Sequence, residues 1–448
     1  MPDAVIETAK RFLKFFVKPC RILVAVSGGS DSKGLLLALH SVIESEGQSG
    51  FSLAACTVDH ALRPDSAKEA EDVAAFCAQL GIAHSIRRWH GDKPLTGIQA
   101  AAREKRYELL AEAAAELGAD CIATGHTRDD QRETIAMRGT RDTGEGQGAA
   151  GMADMVLFER RIWVLRPFLH LSRAEIRSFL QARGVGWLDD PSNANPQFER
   201  VRVRARLAVS DQAPVLPGSG LQRAASSARA AALIGRHIQV HRALVAEVAA
   251  TQAGKMDDRD WRRALLSVAA VLGGREHLPA RATIERLSAF LKTGEPGRMT
   301  AARVVFDRRR SGLYLYREPR DLPVLAIARG GHALWDGRFN VTSEGPALTV
   351  TPEMRGALCE QRLIDAGVPK GVAKRASQVA PRVRPAESLG PHSIGPDSIP
   401  AKVECRIALY DTFLPGFDRI MADAVAALFG RDRYPAPPVH DVLTEMEG

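Results

Sequence analysis

The stretch that most constrains the fold lies near the N-terminus, where a short apolar run gives way at once to small polar residues. Ile22 to Val26 is uninterruptedly apolar, as expected of a central parallel strand that is buried on both faces. Ser27 to Ser32 then reads S-G-G-S-D-S, and Leu35, Leu39 and Val42 follow at helical spacing. The pattern therefore predicts a strand, a glycine-rich turn and a helix.

This turn has the chemistry of a phosphate site. Backbone N–H groups and a helix N-terminus converge where the strand ends, and both favour a bound anion. Glycines let the main chain approach a ligand, serine hydroxyls add donors, and an aspartate can hold a metal ion or orient the helix start. The alternative is an ordinary strand-to-helix turn with a serine or aspartate cap. The predicted phosphate ligands are Ser27, Gly28, Gly29, Ser30, Asp31 and Ser32.

The hexapeptide narrows the class of phosphate site. It is not a Walker A loop, because G-x-x-x-x-G-K-[ST] does not occur here and Lys33-Gly34 has the order reversed. S-G-G-S-D-S after a buried strand resembles the pyrophosphate loop of the N-type ATP pyrophosphatases. That resemblance implies an enzyme that cleaves ATP between the α- and β-phosphates and passes AMP to a carbonyl oxygen.

Composition places the chain among ordinary globular proteins. Its 448 residues are 45% hydrophobic and 25% charged, and no apolar run approaches the ~20 residues of a membrane span. The six cysteines form no C-x-x-C pair, so we expect reduced core residues of a cytosolic protein and no membrane partner. The formal net charge of +8 suits a polyanionic partner.

Further apolar runs alternate with helical patterns along the first half of the chain. Such alternation predicts an open, mostly parallel, doubly wound α/β sheet. Ligands bind beyond the carboxyl ends of such strands, where Ser27–Ser32, Asp59–Arg63 and Gly125–Thr134 all fall. The remaining predicted strands are Leu53–Val58, His84–Trp89, Cys121–Thr124 and Ile162–Leu165.

Three domains are predicted. Residues 1–213 are predicted to form the catalytic α/β domain, 218–320 a mainly helical domain that binds the polyanionic partner, and 321–448 a small mixed α+β region. Leu221–Ala250 is predicted as one helix and Val304–Tyr316 as a hairpin. Loops are expected at Gly139–Gly151 and 380–400, with the first domain boundary at Pro214–Gly220.

Six motifs in a fixed order give a closer resemblance. Residues 20 to 207 resemble tRNA(Ile)-lysidine synthetase, one branch of the N-type ATP pyrophosphatases. The motifs are S-G-G-S-D-S from Ser27, V-D-H-A-L-R from Val58, A-A-R-E-K-R-Y from Ala101, G-H-T-R-D-D-Q-R-E-T from Gly125, R-P from Arg166 and D-D-P-S-N from Asp189.

The resemblance implies a two-step ligation. ATP adenylates the ring carbonyl oxygen of the wobble cytidine in the isoleucine tRNA with a CAU anticodon, and pyrophosphate leaves. The amine of free L-lysine then displaces AMP. ATP and Mg²⁺ are the implied cofactors, with Asp31 as the metal ligand, and the resemblance also admits a homodimer.

The second half of the site is predicted around two carboxylates. Asp130 and Glu133 are three residues apart, so on a helix they share a face and can bind an ammonium group. In the family these positions resemble the lysine site, to which we add Arg204. Asp59, His60, Arg63 and Arg103 are expected to line the nucleotide side, with His126 near the reacting centre.

Each of these residues also has a structural interpretation. Asp130 could cap its helix, and His60 and His126 could be hydrogen-bonded histidines at strand ends. Arg103 and Tyr107 could brace their helix against the sheet. The arginines between 200 and 206 are equally a solvated edge or a contact to tRNA and lysine.

Three other functions were weighed. A sulfur-inserting relative that adenylates a tRNA base needs a reactive cysteine beside the site, and no cysteine falls there. An ATP-dependent amide synthetase acting on a small molecule fits the basic C-terminal half poorly. A non-catalytic nucleotide-binding module would fail to exchange ATP with pyrophosphate.

Overall fold

The computed structural model describes residues 4–47, 50–62, 65–94, 96–139, 151–189, 199–209, 220–354, 356–386 and 400–440. Several predictions therefore lie outside the described residues: the role of Arg63, the loop at 140–150, the D-P-S-N turn at 190–193, the boundary at 214–219 and the loop at 387–399. The described chain divides into two compact units, one holding residues up to 221 together with 435–440 and the other holding 222–434.

The first unit is an α/β sandwich around one sheet. Its helices are α1 (Ala4–Lys14), α2 (Ser30–Ser45), α3 (Ser66–Gln79), α4 (Ile98–Glu116), α5 (Arg128–Gly139), α6 (Arg173–Gln181) and α7 (Glu199–Val209). Its strands are β1 (Arg21–Ala25), β2 (Ser52–Asp59), β3 (Ala83–Arg88), β4 (Cys121–Thr124), β5 (Met155–Phe158) and β6 (Ile162–Leu165). They lie in the order β5-β6-β4-β1-β2-β3. Only the β5–β6 pairing is antiparallel, so the predicted α/β fold is confirmed.

The strand order fixes where a ligand can bind. β1 lies between β2 and β4, and its residues Ile22, Leu23 and Val24 are fully buried. The chain runs outward from β1 through β2 to β3, then returns to place β4 on the other side of β1. This reversal opens a crevice at the carboxyl ends of β1 and β4, which is where open α/β sheets bind ligands.

Strand β5 was not predicted. It forms a hairpin with β6 through Glu159 and Arg160, whose φ angles are 48° and 57°. Tight hairpin turns need residues with a positive φ, and asparagine or glycine usually occupies these positions. Here neither residue type is present, so the turn carries no local signal.

The second unit is built on antiparallel sheets. Its helices are α8 (Gly220–His237), α9 (Arg259–Gly273), α10 (Arg281–Lys292), α11 (Ala357–Asp365), α12 (Lys370–Ser377) and α13 (Arg419–Leu428). Its strands are β7 (Ile238–His241), β8 (Val245–Val248), β9 (Gly297–Ala301), β10 (Val304–Arg309), β11 (Gly312–Arg317), β12 (Leu325–Ile327), β13 (His332–Trp335), β14 (Phe339–Ser343), β15 (Leu348–Pro352), β16 (Pro381–Pro385), β17 (Ala401–Cys405) and β18 (Phe413–Pro415). Its sheets have the orders β7-β8-β11-β10-β9, β12-β15-β16 and β13-β14-β17.

The single helix predicted for Leu221–Ala250 is wrong in its second half. α8 ends at His237, and β7 and β8 follow as a hairpin. Its turn again uses two non-glycine residues in the left-handed region, Arg242 and Ala243. The hairpin predicted at Val304–Tyr316 is confirmed as β10 and β11.

The predicted domain boundary at 320/321 stays a prediction, although a buried ion cluster joins the two sides of it. The Asp336 carboxylate is fully buried and accepts hydrogen bonds from Arg303, Arg317 and Arg338. Within the described ranges, no helix has the length and apolar character needed to cross a membrane.

Candidate functional site

The loop after β1 has a backbone that only glycine fits. Gly28 has a φ of 81°, and its carbonyl accepts a hydrogen bond of 3.0 Å from the Leu188 N–H. A Cβ at Gly28 would lie 3.1 Å from Leu188 Cδ1, so a side chain would meet both strain and crowding. The loop is therefore held tightly against the segment that follows α6.

Serine hydroxyls hold the loop in shape. Ser32 Oγ accepts from the Ser27 N–H at 3.1 Å and donates to the Gly29 carbonyl at 3.2 Å. Gly29 is the N-cap of α2, and no side-chain hydrogen bond caps that helix within the described residues. The first N–H groups of α2 are therefore left without a side-chain cap, which is the arrangement that the predicted phosphate site requires, and the site itself stays a prediction.

A second glycine brings the loop after β4 against this helix start. A Cβ on Gly125 would lie 2.6 Å from the Asp31 carbonyl oxygen and 2.9 Å from the Ser32 nitrogen. Two backbone segments can approach this closely only where glycine leaves space. The contact sets the phosphate loop beside His126 and the start of α5.

Both oxygens of the Asp31 carboxylate contact neighbouring side chains. Its Oδ2 pairs with Arg173 Nε at 3.0 Å, and its Oδ1 accepts from Ser30 Oγ at 2.9 Å. The same guanidinium reaches Asp130 Oδ1 at 3.2 Å, so Arg173 links the two halves of the site. Burial raises the pKa of Asp31 above its usual range, although the charge of Arg173 opposes the rise.

Sequence reasoning missed Arg173, yet a signal for it was present. Ser172 and Glu175 form a capping box at the start of α6, which makes Arg173 the first helical residue. A cation there opposes the helix dipole, so it needs a reason to be present. The reason is the pair of carboxylates that it bridges.

The two predicted pocket carboxylates are both buried and both paired with arginines of α7. Arg200 contacts Asp130 Oδ1 and Glu133 Oε2, each at 2.5 Å, and Arg204 Nε contacts Glu133 Oε1 at 2.6 Å. Because α7 is helical, the side chains of Arg200 and Arg204 share one face while Val203 is buried. The structure thus brings Asp130, Glu133 and Arg204 together.

Asp130 serves as a helix-start residue as well. Its Oδ2 accepts from the Thr127 N–H at 2.8 Å and from Thr127 Oγ1 at 2.9 Å. Its other oxygen, Oδ1, faces the arginines. The capping interpretation and the site interpretation therefore each apply to one oxygen of the same carboxylate.

His126 follows β4 and is neutral. Thr124 Oγ1 donates its proton to the Leu165 carbonyl, so it accepts from His126 Nδ1 at 2.9 Å. This chain of bonds assigns the Nδ1–H tautomer and leaves a lone pair on Nε2. Burial lowers the pKa of His126 well below its usual range, and the charges of Arg166 and Arg103 add to the effect.

A buried tyrosine lies in the same basic surroundings. Tyr107 Oη accepts from Arg166 at 3.4 Å, and the Arg103 guanidinium carbon lies 5.2 Å from the Tyr107 ring centroid. Burial alone would raise the pKa of Tyr107, but the charges of Arg166 and Arg103 outweigh it and lower the pKa to about 8. These contacts fit the bracing interpretation of Arg103 and also make this side of the site strongly positive.

The strand end after β2 is held by its own residues. Asp59 Oδ1 accepts from the Ala61 N–H at 2.7 Å, and Arg88 lies 3.5 Å from its Oδ2. Arg106 donates to His60 Nε2 at 3.4 Å, and burial lowers the pKa of His60 to about 4. The nucleotide-binding roles of Asp59 and His60 stay predictions.

The cysteines are unsuited to sulfur transfer. Burial raises the pKa of Cys56 to about 12 and that of Cys77 to about 11, so these thiols stay protonated. All six cysteines are unpaired with one another.

A buried strand, a glycine loop and an uncapped helix start at the switch point of a parallel sheet define a PP-loop protein. Comparison with known proteins agrees, since the family model described as "PP-loop domain" matches residues 4–210. The tRNA(Ile)-lysidine synthase of Rhizobium meliloti (strain 1021) is 69% identical over 455 residues, covering 100% of both chains. The chain belongs to the tRNA(Ile)-lysidine synthase family.

Two further comparisons are more distant. The tRNA(Ile)-lysidine synthase of Mesorhizobium japonicum is 40% identical and covers 93% of this chain and 94% of its own. Among solved structures, the U34-tRNA thiolase NcsA from Methanococcus maripaludis matches with a TM-score of 0.34 and 16% identity, over 47% of this chain and 82% of its own.

Proposed function

We propose that this protein ligates lysine to the wobble cytidine of the isoleucine tRNA with a CAU anticodon, consuming ATP and releasing AMP and pyrophosphate. One observation carries the proposal: the Arg173 guanidinium joins Asp31 of the phosphate loop to Asp130 of the two-carboxylate site, so the two sites are neighbours. A reaction that needs ATP first and a cationic amine second requires those two sites side by side. Family membership supports the same activity.

In the first step the cytidine carbonyl oxygen attacks the α-phosphorus of ATP. The bond between the α-phosphorus and the β-phosphate oxygen breaks, and pyrophosphate leaves. The N–H groups at the start of α2, with Ser27 and Ser30, would hold the phosphates, and Arg103 adds positive charge. Donors already in place stabilise charge that develops on the phosphates without reorganising.

Asp31 fits a magnesium ligand. Mg²⁺ usually takes one or two carboxylates together with substrate phosphates, and Asp31 is a carboxylate in the first turn of the phosphate-binding helix. No cluster of three or more metal-ligating side chains occurs in the described ranges, which agrees with a metal held largely by the nucleotide. When bound, it would neutralise charge on the leaving pyrophosphate.

In the second step the lysine amine attacks the activated ring carbon. The carbon–oxygen bond breaks, AMP leaves with the oxygen, and the amine loses a proton. Asp130, Glu133 and Arg204 would position free lysine. His126, with the lone pair on Nε2, would accept a hydrogen bond near the reacting atoms, and because its pKa is lowered the proton of the amine passes on to solvent.

The tRNA itself is assigned to the second unit. The formal net charge of +8 and the arginines beyond residue 218 support binding through phosphates. The affinity of the full chain for tRNA should then fall with salt, with a log–log slope of about −0.7 to −0.9 per phosphate neutralised. A substrate of this kind makes the cytoplasm the proposed location, and light scattering would test the homodimer.

The decisive experiment is a product analysis. The isoleucine tRNA with a CAU anticodon is incubated with the protein, ATP and isotopically labelled L-lysine. Its nucleosides are then separated and identified by mass spectrometry. The label should appear in the wobble nucleoside together with stoichiometric AMP. Sulfur incorporation instead, or ATP consumption that ignores tRNA, would favour a thiolating enzyme or a small-molecule amide synthetase.

A further inference from the structure

Every oxygen of the two pocket carboxylates already accepts a hydrogen bond from the chain itself. Glu133 accepts Arg204 on Oε1 and Arg200 on Oε2. Asp130 accepts Thr127 on Oδ2, and accepts both Arg200 and Arg173 on Oδ1. Each of the four oxygens therefore already has a donor, and the position between the two carboxylates is occupied by the Arg200 guanidinium.

The three arginines that contact Asp130 and Glu133 differ in how readily an incoming cation could displace them. Arg173 is also bonded to Asp31, and its side chain is 23% exposed, so it is tied into the phosphate side of the site. Arg204 pairs with Glu133 and is 34% exposed. Arg200 is the most exposed of the three at 45%, and among the ion pairs of the described residues it is the arginine that bridges Asp130 and Glu133.

That bridging position is the one an ammonium group shared by two carboxylates would take. Resting on the proposed function, in which Asp130 and Glu133 hold the substrate amine, we propose that Arg200 is a cation placeholder. Its guanidinium competes with the ammonium group of lysine for the space between the two carboxylates.

The placeholder makes the site selective for a cation. Glu133 and Asp130 are 2% and 7% exposed, so an unpaired negative charge on either is costly. Exchanging the Arg200 guanidinium for a lysine ammonium keeps both carboxylates paired. A neutral amino acid of similar size would displace the guanidinium and leave a buried charge unpaired, so it is rejected.

The test measures lysine use by Arg200→Gln. Lysine can bind only while the guanidinium is out of the pocket, and its apparent Kd is the intrinsic Kd divided by the fraction of time that the pocket is open. A guanidinium that fills the pocket about nine-tenths of the time therefore weakens lysine binding roughly tenfold. The KM for lysine in the conversion of adenylated tRNA should therefore drop about tenfold in the variant. Arg206→Gln removes the same charge from an exposed position on α7 and should leave that KM unchanged.

Guanidinium ion provides a second readout. Added at millimolar concentration to Arg200→Gln, it should refill the vacated position and raise the lysine KM back toward the parent value. Sodium chloride at the same ionic strength should not do so. The parent, which carries its own guanidinium, should respond much less.

The outcomes separate this inference from the proposed function. An unchanged or raised lysine KM in Arg200→Gln, together with a raised KM in Glu133→Gln, would overturn the placeholder and keep the lysine pocket. If lysine KM is unaffected in both variants, the pocket itself is wrongly assigned. Wild-type-like adenylate formation from ATP and tRNA confirms that each variant is folded.

Discussion

At the scale of single residues, the site is divided by charge. The side formed by Tyr107, Arg166 and Arg103 is positive and lowers the pKa of neighbouring acids, whereas burial raises the pKa of Asp31. A positive environment attracts phosphates, which is the role that we propose for the first side. The surroundings of Tyr107 and of Asp31 can each be tested by a single substitution.

Tyr107 should titrate at a lower pH than Tyr314, Tyr316 and Tyr410. Its pKa is lowered to about 8, whereas burial raises the pKa of Tyr314, Tyr316 and Tyr410. Ultraviolet absorbance of tyrosinate should show an early transition that Tyr107→Phe abolishes. Because the folded pKa lies below the unfolded value, ionised Tyr107 adds stability as pH rises from about 8 toward 10, and none at lower pH. A titration that is identical in parent and variant would contradict the arrangement.

Asp31→Asn should lose catalysis and keep the fold. Asparagine keeps the size of Asp31 and removes its charge, and burial, which raises the pKa of Asp31, already works against the charged form in the folded state. Losing a preorganised group that acts on developing charge costs roughly 3–4 kcal/mol, or hundreds-fold in rate. AMP formation should fall accordingly while the melting temperature stays near that of the parent. Retained activity would remove Asp31 from the mechanism.

At the scale of elements, close backbone contacts position the reacting groups. The loop after β4 touches the start of α2 at Gly125, and α2 touches α6 at Gly34, where a Cβ would lie 2.3 Å from Ile176 Cγ2. At both positions a neighbouring segment packs so closely that a side chain would not fit, and neither glycine has the positive φ of a left-handed turn. They set the distance between the phosphate loop and the carboxylates.

Gly125→Ala should impair ATP use and stability together. The added Cβ would meet the backbone of Asp31 and Ser32, which cannot rotate away as a side chain would. Overpacking of this kind costs about 1–3 kcal/mol. Thermal melting and ATP–pyrophosphate exchange should both decline. Gly186→Ala is the matched control, because a Cβ there has no atom within 4 Å.

At the scale of the whole molecule, the chain returns to its first unit after completing the second. The Val17 N–H donates to the Pro438 carbonyl, and the His440 N–H donates to the Phe15 carbonyl, each at 2.9 Å. Val439 is 2% exposed in this contact. The first unit is therefore discontinuous along the chain, and the predicted catalytic domain of residues 1–213 stays a prediction.

Ending the chain at Tyr434 should destabilise the catalytic unit. The deletion removes two backbone hydrogen bonds at about 1 kcal/mol each and the burial of Val439 at about 1.5–3 kcal/mol, roughly 4 kcal/mol in all. The free energy of unfolding, from denaturant titration followed by tryptophan fluorescence, should drop by that amount. A chain ending at His440 keeps these contacts and should match the parent.

The sequence by itself determined the parts of the site that depend on neighbouring residues. The apolar run from Ile22, the glycines after it and the spacing of Asp130 and Glu133 are local patterns, and each local pattern permits one backbone form. The mostly parallel sheet followed as well, because strands that alternate with helices allow few arrangements, whereas the order of the strands came from the structure. Motifs at carboxyl ends of strands then had to meet at one edge of the sheet.

Only the tertiary structure decided which charges pair. Arg173 is 142 residues from Asp31, and Arg200 is 70 residues from Asp130, so no spacing rule connects them. The same holds for Pro435 to His440, whose packing against Phe15 and Val17 joins the two ends of the chain. Ion pairs and edge contacts depend on positions in space, and those positions exist only after the sheet and its helices have packed.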